Sequence, residues 1–119
     1  MARILFVLAR STEAPDRAHT ALATARAAQT AGHEVAFWLT GEGARLGVKG
    51  VAETLAEPRP ETAAALRDAL LEGGARMHVE QASFEAREYA EDALLDGASL
   101  ASGGDLGTLL DDGWQAVTL

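Results

Sequence analysis

The residue types in this chain that could do chemistry are hydroxyls, carboxylates and three histidines, and there is no cysteine. A serine nucleophile needs a base within hydrogen-bond reach and a third group to orient that base. Ser83 lacks the Gly-x-Ser-x-Gly setting, and His19, His33 and His78 fall on a helix, beyond a glycine cap and in a strand respectively. Each histidine therefore reads as structural or solvated. The same scatter, without thiolates, predicts no metal site, because no pair has the spacing of ligands on one helix face. Gly41-Glu42-Gly43-Ala44-Arg45-Leu46-Gly47 approximates a dinucleotide fingerprint. It has one residue too many before the last Gly, it follows the second strand rather than the first, and Glu42 places negative charge where a pyrophosphate would lie. A simple turn is the better reading, and no cofactor is expected. Ser102-Gly103-Gly104-Asp105 offers amides to a small anion but lacks a Walker lysine, so turn chemistry explains it as well. Asp111-Asp112 closes a helix with the wrong sign for its dipole. It reads either as a solvated terminus or, beside Trp114, as an acidic surface for a basic partner. Glu85, Arg87, Glu88 and Glu91 read as an exposed helix face with local ion pairs.

The elements that must position these groups follow from hydropathy patterning. Arg3–Ala9 is a continuous apolar run suited to a strand covered on both faces. Pro15 and Asp16 open a helix whose small apolar positions, Ala18, Ala21, Leu22, Ala25 and Ala28, recur at three- and four-residue steps until Gly32. Glu34–Leu39 is a second strand, completing a βαβ unit. Ala44–Pro60, interrupted by Gly47 and Gly50, predicts a short broken helix ended by Pro58 and Pro60. Glu61–Glu72 is a helix, Ala75–Glu80 a third strand, Gln81–Tyr89 a helix, and Glu91–Leu95 a short segment after a turn. Gly97–Ala101 is a fourth strand, Gly103–Asp112 a final helix, and Trp114–Leu119 a terminal strand. Five strands alternating with helices predict an α/β fold: a three-layer α/β/α sandwich, in one domain over residues 1–119, around a mostly parallel sheet.

In such sheets ligands gather outside the carboxyl ends of the strands. That rule selects the loops Ser11–Asp16, Thr40–Gly43, Glu80–Ser83 and Ser102–Asp105, and with them Ser11, Thr12, Thr40, Gly41, Gly43, Ser83, Ser102 and Gly103 as pocket candidates.

Composition bounds the partners. Lys plus Arg number 10 and Asp plus Glu 18, so the net charge is −8, which argues against nucleic acid and anionic membranes. The amino-terminal apolar run is too short for a spanning helix or a secretory core, so a cytoplasmic address is the expectation. Of the 119 residues 26 are Ala, leaving few large core side chains, and self-association is expected to supply the missing buried area.

Gly32-His33-Glu34-Val35 and Leu39-Thr40-Gly41-Glu42-Gly43, set between the opening strand and Leu-Gly-Val-Lys-Gly-Val, carry a likeness over nearly the full length. The chain resembles the DsrE/DsrF-like family. The resemblance implies a small α/β protein forming trimers or hexamers, possible partnership with related subunits or sulfur-relay proteins, and persulfide transfer at a cysteine. In the family that cysteine lies after the third strand, in a segment like Cys-x-x-Cys-x-x-x-Arg. The matching stretch here is Glu80-Gln81-Ala82-Ser83-Phe84-Glu85-Ala86-Arg87, so Glu80 and Ser83 replace both cysteines and Arg87 adds a pocket candidate. A hydroxyl does not become the soft anion that carries sulfane sulfur near neutral pH. Two readings follow: a non-catalytic binding or assembly protein, or an enzyme in which Ser83 or Glu80 acts on a small substrate. The first predicts that Ser83 and Glu80 are buried at a subunit contact rather than open beside a histidine.

Overall fold

The computed structural model describes residues 1–55 and 58–119. Strand β1 (Arg3–Leu8) leads into helix α1 (Pro15–Thr30) and β2 (Glu34–Leu39). Two 3-10 segments, Gly41–Gly47 and Ala52–Thr54, precede α2 (Ala63–Glu72) and β3 (Arg76–Glu80). Helix α3 (Gln81–Ala86), a 3-10 turn at Glu91–Ala93, β4 (Ala98–Ala101), α4 (Gly103–Asp111) and β5 (Gln115–Thr118) complete the chain. The sheet is parallel at every pairing, in the order β4-β3-β2-β1-β5.

That order fixes the layers. The chain steps in one direction from β1 to β4, then reverses across the sheet to reach β5. Crossovers of one hand must change face when the direction changes. Side chains of α1, α2 and α3 accordingly share one core with Phe6, Leu8, Val35, Phe37, Leu39, Met77 and Val79. Leu106 and Leu109 of α4 lie on the other face against Leu5, Ala36 and Trp38. The third layer is thus a single nine-residue helix. On the first face Ala18, Ala21 and Ala25 are fully buried or nearly so, and their small side chains let α1 approach the sheet closely.

Local differences from the sequence reading have identifiable causes. Thr62 caps α2, its Oγ1 accepting the Ala65 N–H at 3.1 Å, so the helix starts later than Glu61. The expected broken helix over 44–60 is two short 3-10 segments, with positions 56 and 57 outside the described residues. Its first segment begins earlier, at Gly41, because the glycines there are packing devices. A Cβ on Gly43 would stand 2.1 Å from the Leu8 carbonyl oxygen, and one on Gly47 would stand 2.4 Å from Cγ2 of Val79. The fingerprint-like spacing therefore records how closely this segment sits on β1 and β3. Helix α3 stops at Ala86 rather than Tyr89, since Glu88 adopts a left-handed conformation, φ 61°.

Candidate functional site

The carboxyl ends of β1, β2 and β3 meet in a closed polar cluster. Ser83, on the first turn of α3, accepts the Gly41 N–H at 2.9 Å and donates its hydroxyl to the Glu80 carboxylate in a short hydrogen bond. Ser83 is 8% exposed, and the chain itself supplies that burial, with no histidine bonded to the hydroxyl. Beside it Glu42 accepts from Arg45 Nε at 2.6 Å and from Arg87 Nε at 3.0 Å. The Arg45 and Arg87 hydrogen bonds hold the Glu42 carboxyl below the usual carboxylate range. Arg45 also donates to the Tyr89 hydroxyl at 2.9 Å, and Arg87 to the Ser83 carbonyl at 2.9 Å. Arg87 is thus not part of an exposed, locally paired helix face: its partner is Glu42, 45 residues away. Among the described residues the expected local ion pairs are absent from that face, and Glu85 instead accepts a hydrogen bond from the neutral Gln81 amide at 2.8 Å.

The other candidates divide between closed and open ground. Ser11 is fully buried behind β1, its backbone N–H bonded to Glu13 Oε1 at 2.5 Å and its hydroxyl without a partner. Gly43 is buried against Leu8, Thr40 is half-buried and donates its N–H to the Leu8 carbonyl at 3.1 Å, and Thr12 is exposed. Ser102 and Gly103 stand apart from this cluster and line a crevice of about 480 Å³ with Glu80, Gln81, Ala82, Glu85 and Ala101. Its position follows from topology. β3 leads to α3 on one face and β4 leads to α4 on the other, so the chain parts between neighbouring strands, where open α/β sheets hold ligands. Strand-end reasoning named residues on both sides of this crevice, but not the crevice, because strand order was needed to find it.

The lining gives the crevice its chemistry. Glu80 and Glu85 line one side, and next to the crevice Asp105 accepts the N–H of the lining residue Ser102 at 2.8 Å. The Ser102 amide at the start of α4 is thereby answered from within, and the added negative charge disfavours phosphate. Continuing along β4, a hollow of about 260 Å³ is lined by His78, Ser99, Asp105 and Thr108. His78 stacks on Trp38 with ring centroids 6.4 Å apart, and burial pushes its pKa down.

The remaining histidines are tied to backbone. His19 is buried and donates from Nε2 to the Glu61 carbonyl at 2.6 Å, while His33 Nδ1 accepts the Ala2 N–H at 3.0 Å. At Asp111-Asp112 it is the helix end, not the carboxylates, that meets a cation. Arg3 lies 4.6 Å over the Trp114 ring and donates Nη1 to the Asp112 carbonyl at 2.7 Å, placing a cation at the negative end of α4. Among the described residues no group of three His, Asp or Glu side chains is placed to hold a metal ion, and no helix is long and apolar enough to cross a membrane.

Parallel order 4-3-2-1-5, a short α3 after β3 and a polar cluster at the strand ends define a small α/β protein whose strand-end cluster holds no thiol. The chain belongs to the DsrE/DsrF-like family, which it matches over residues 2–119. Among solved structures it is similar to the ychN protein from E. coli, at 14% identity with a TM-score of 0.81 and both chains fully covered. It is also similar to MTH1491, a protein of unknown function from Methanobacterium thermoautotrophicum, at 15% identity and a TM-score of 0.77, again over 100% of both chains. At these identities the likeness shows the fold. No curated protein matches the chain.

Proposed function

We propose that this chain is a thiol-less DsrE/DsrF-like protein that works by binding and self-assembly rather than by carrying sulfur. One observation carries the reading: the Ser83 hydroxyl, at the family's cysteine position, is buried and already holds Glu80 and the Gly41 N–H together. An oxygen engaged in this way is a strut between β3, α3 and the loop after β2. Arg87, which in a thiol site would face a developing anion, is neutralised by Glu42. The crevice between β3 and β4 remains open to a small polar or cationic ligand. Exposed Leu110, with half-buried Leu106, Leu109 and Trp114, leaves apolar surface on the α4 face, and exposed Val117 on β5 adds apolar surface on the opposite face, for a second copy. Trimers or hexamers are the assemblies the family resemblance implies.

The Ser83 to Glu80 hydrogen bond also favours a second reading, in which the carboxylate activates the hydroxyl toward a small substrate. Two measurements test the proposal. Light scattering at micromolar concentration is expected to give a multiple of 12.4 kDa, and a labelled persulfide donor is expected to leave no sulfur on the chain. A monomer mass refutes assembly, and covalent sulfur refutes the argument from the missing thiol. Labelling of Ser83 by a fluorophosphonate probe would establish the enzymatic reading instead.

A further inference from the structure

The geometry points to β5 as a self-complementary edge: two copies pair antiparallel through β5 about a two-fold axis at Val117, joining their sheets into one. The inference rests on the assembly reading and specifies its contact.

Edge strands expose unpaired N–H and C=O groups, and proteins usually blunt them with charge, proline, bulges or a covering element. β5 is short, at four residues, but carries no charge, proline or bulge within Gln115–Thr118, and all four residues are exposed. The orientation of its backbone can be read directly. The Leu119 N–H donates to the Val7 carbonyl at 3.0 Å, so Leu119, and by alternation Val117 and Gln115, direct their polar backbone toward β1. Ala116 and Thr118 therefore direct theirs to the open edge. Antiparallel pairing of two such edges lets Ala116 of each copy exchange both hydrogen bonds with Thr118 of the other, four in all, and puts Val117 opposite itself. Val117 shares the face of Phe6 and is 42% exposed, one of three large exposed apolar side chains among the described residues. The same operation buries that side chain against its copy. Charge permits this strip: with a net charge of −8 two copies repel, and the four residues of β5, like those of the opposite edge β4, are uncharged. The opposite edge, β4, shows no exposed large apolar side chain.

A chain with no cysteine makes the test clean. In Val117→Cys the paired Cα atoms would lie about 4.5 Å apart, a non-hydrogen-bonded separation within disulfide range. Mild oxidation is expected to convert Val117→Cys to a covalent dimer at least tenfold faster than Glu72→Cys, an exposed control on α2. Ala116→Pro removes an outward N–H without touching the β1 ladder, and Val117→Lys sets two ammonium groups face to face. Each is expected to keep the wild-type circular dichroism and to halve the assembled mass or reduce it to the monomer. Equal cross-linking of Val117→Cys and Glu72→Cys overturns the inference. So does an unchanged mass in both Ala116→Pro and Val117→Lys, which leaves assembly intact through another surface. A monomeric wild type overturns the assembly reading itself, and a monomer that instead accepts a foreign β-strand peptide at β5 assigns the edge to a different partner.

Discussion

Ser83→Ala tests whether the family's cysteine position has become a structural joint. The substitution removes one hydroxyl and two hydrogen bonds: one from the Gly41 N–H at 2.9 Å, the other to the Glu80 carboxylate. A neutral hydrogen bond contributes about 1 kcal/mol net and one to a charged group about 1.5–3 kcal/mol. Gly41 and Glu80 are only half-buried, so water recovers part of both contacts and the lower end applies. The expected loss is about 2 kcal/mol, or a fall in Tm of roughly 6–10 °C for a domain of this size. Urea denaturation of Ser83→Ala, Glu80→Ala and the double variant provides the assay, with an expected coupling of about 1 kcal/mol between the two positions. Stability within about 0.3 kcal/mol of wild type, or additive single effects, would refute the strut and return the hydroxyl to the list of free nucleophiles.

Gly43→Ala should cost about 3 kcal/mol or more by urea denaturation, because the added Cβ meets a backbone carbonyl rather than a movable side chain. Glu53→Ala should lower the urea midpoint more than Asp68→Ala, since Arg67 is 5% exposed and makes two hydrogen bonds to Glu53, at 2.7 and 3.0 Å, against one to Asp68. Acid should destabilise the fold through Glu42 and Glu53: hydrogen bonds from Arg45 and Arg67 lead in holding these carboxyls low, so their contribution is present above the ordinary glutamate value of about 4.3 and disappears as pH falls through their depressed values. Urea midpoints followed downward from about pH 5 should fall less steeply in Glu42→Gln than in wild type. Ser83→Cys should alkylate slowly at neutral pH and faster when combined with Glu80→Gln, because the neighbouring carboxylate opposes thiolate formation. Equal rates with iodoacetamide would show that Glu80 does not act on that atom.

What the sequence made legible was the part governed by near neighbours. The run Arg3–Ala9, the alanine period of α1 and the β-formers of Glu34–Leu39 each announce an element, because apolar spacing and local propensity decide them. What stayed hidden depends on contacts between residues far apart in the chain. Arg87 looked like one charge on an exposed helix until the fold brought Glu42 beside it, and Asp112 looked uncompensated until Arg3 arrived from the other terminus. Gly43 and Gly47 carry the same lesson: glycine spacing that resembles a ligand loop is here demanded by the Leu8 carbonyl and by Val79. The crevice could not be placed from loops alone, since it exists only because β3 and β4 are neighbours whose helices leave on opposite faces.

Where the family resemblance implies two cysteines, Glu80 and Ser83 do more than leave out a reactive atom. A carboxylate and a hydroxyl three residues apart at the start of α3 satisfy one another, and the hydroxyl's remaining lone pair takes the Gly41 N–H. Glu42, next in the chain to Gly41, then neutralises Arg87 at the end of the same helix. These contacts, with Arg45 on Glu42, make a network of two carboxylates and two arginines balanced in charge, in which both arginines are already occupied by Glu42. Restoring sulfur at position 83 alone would set it beside Glu80 and within a site whose arginine is occupied. Ser83, Glu80, Glu42 and Arg87 therefore act as a unit that fixes the loop after β2 against α3.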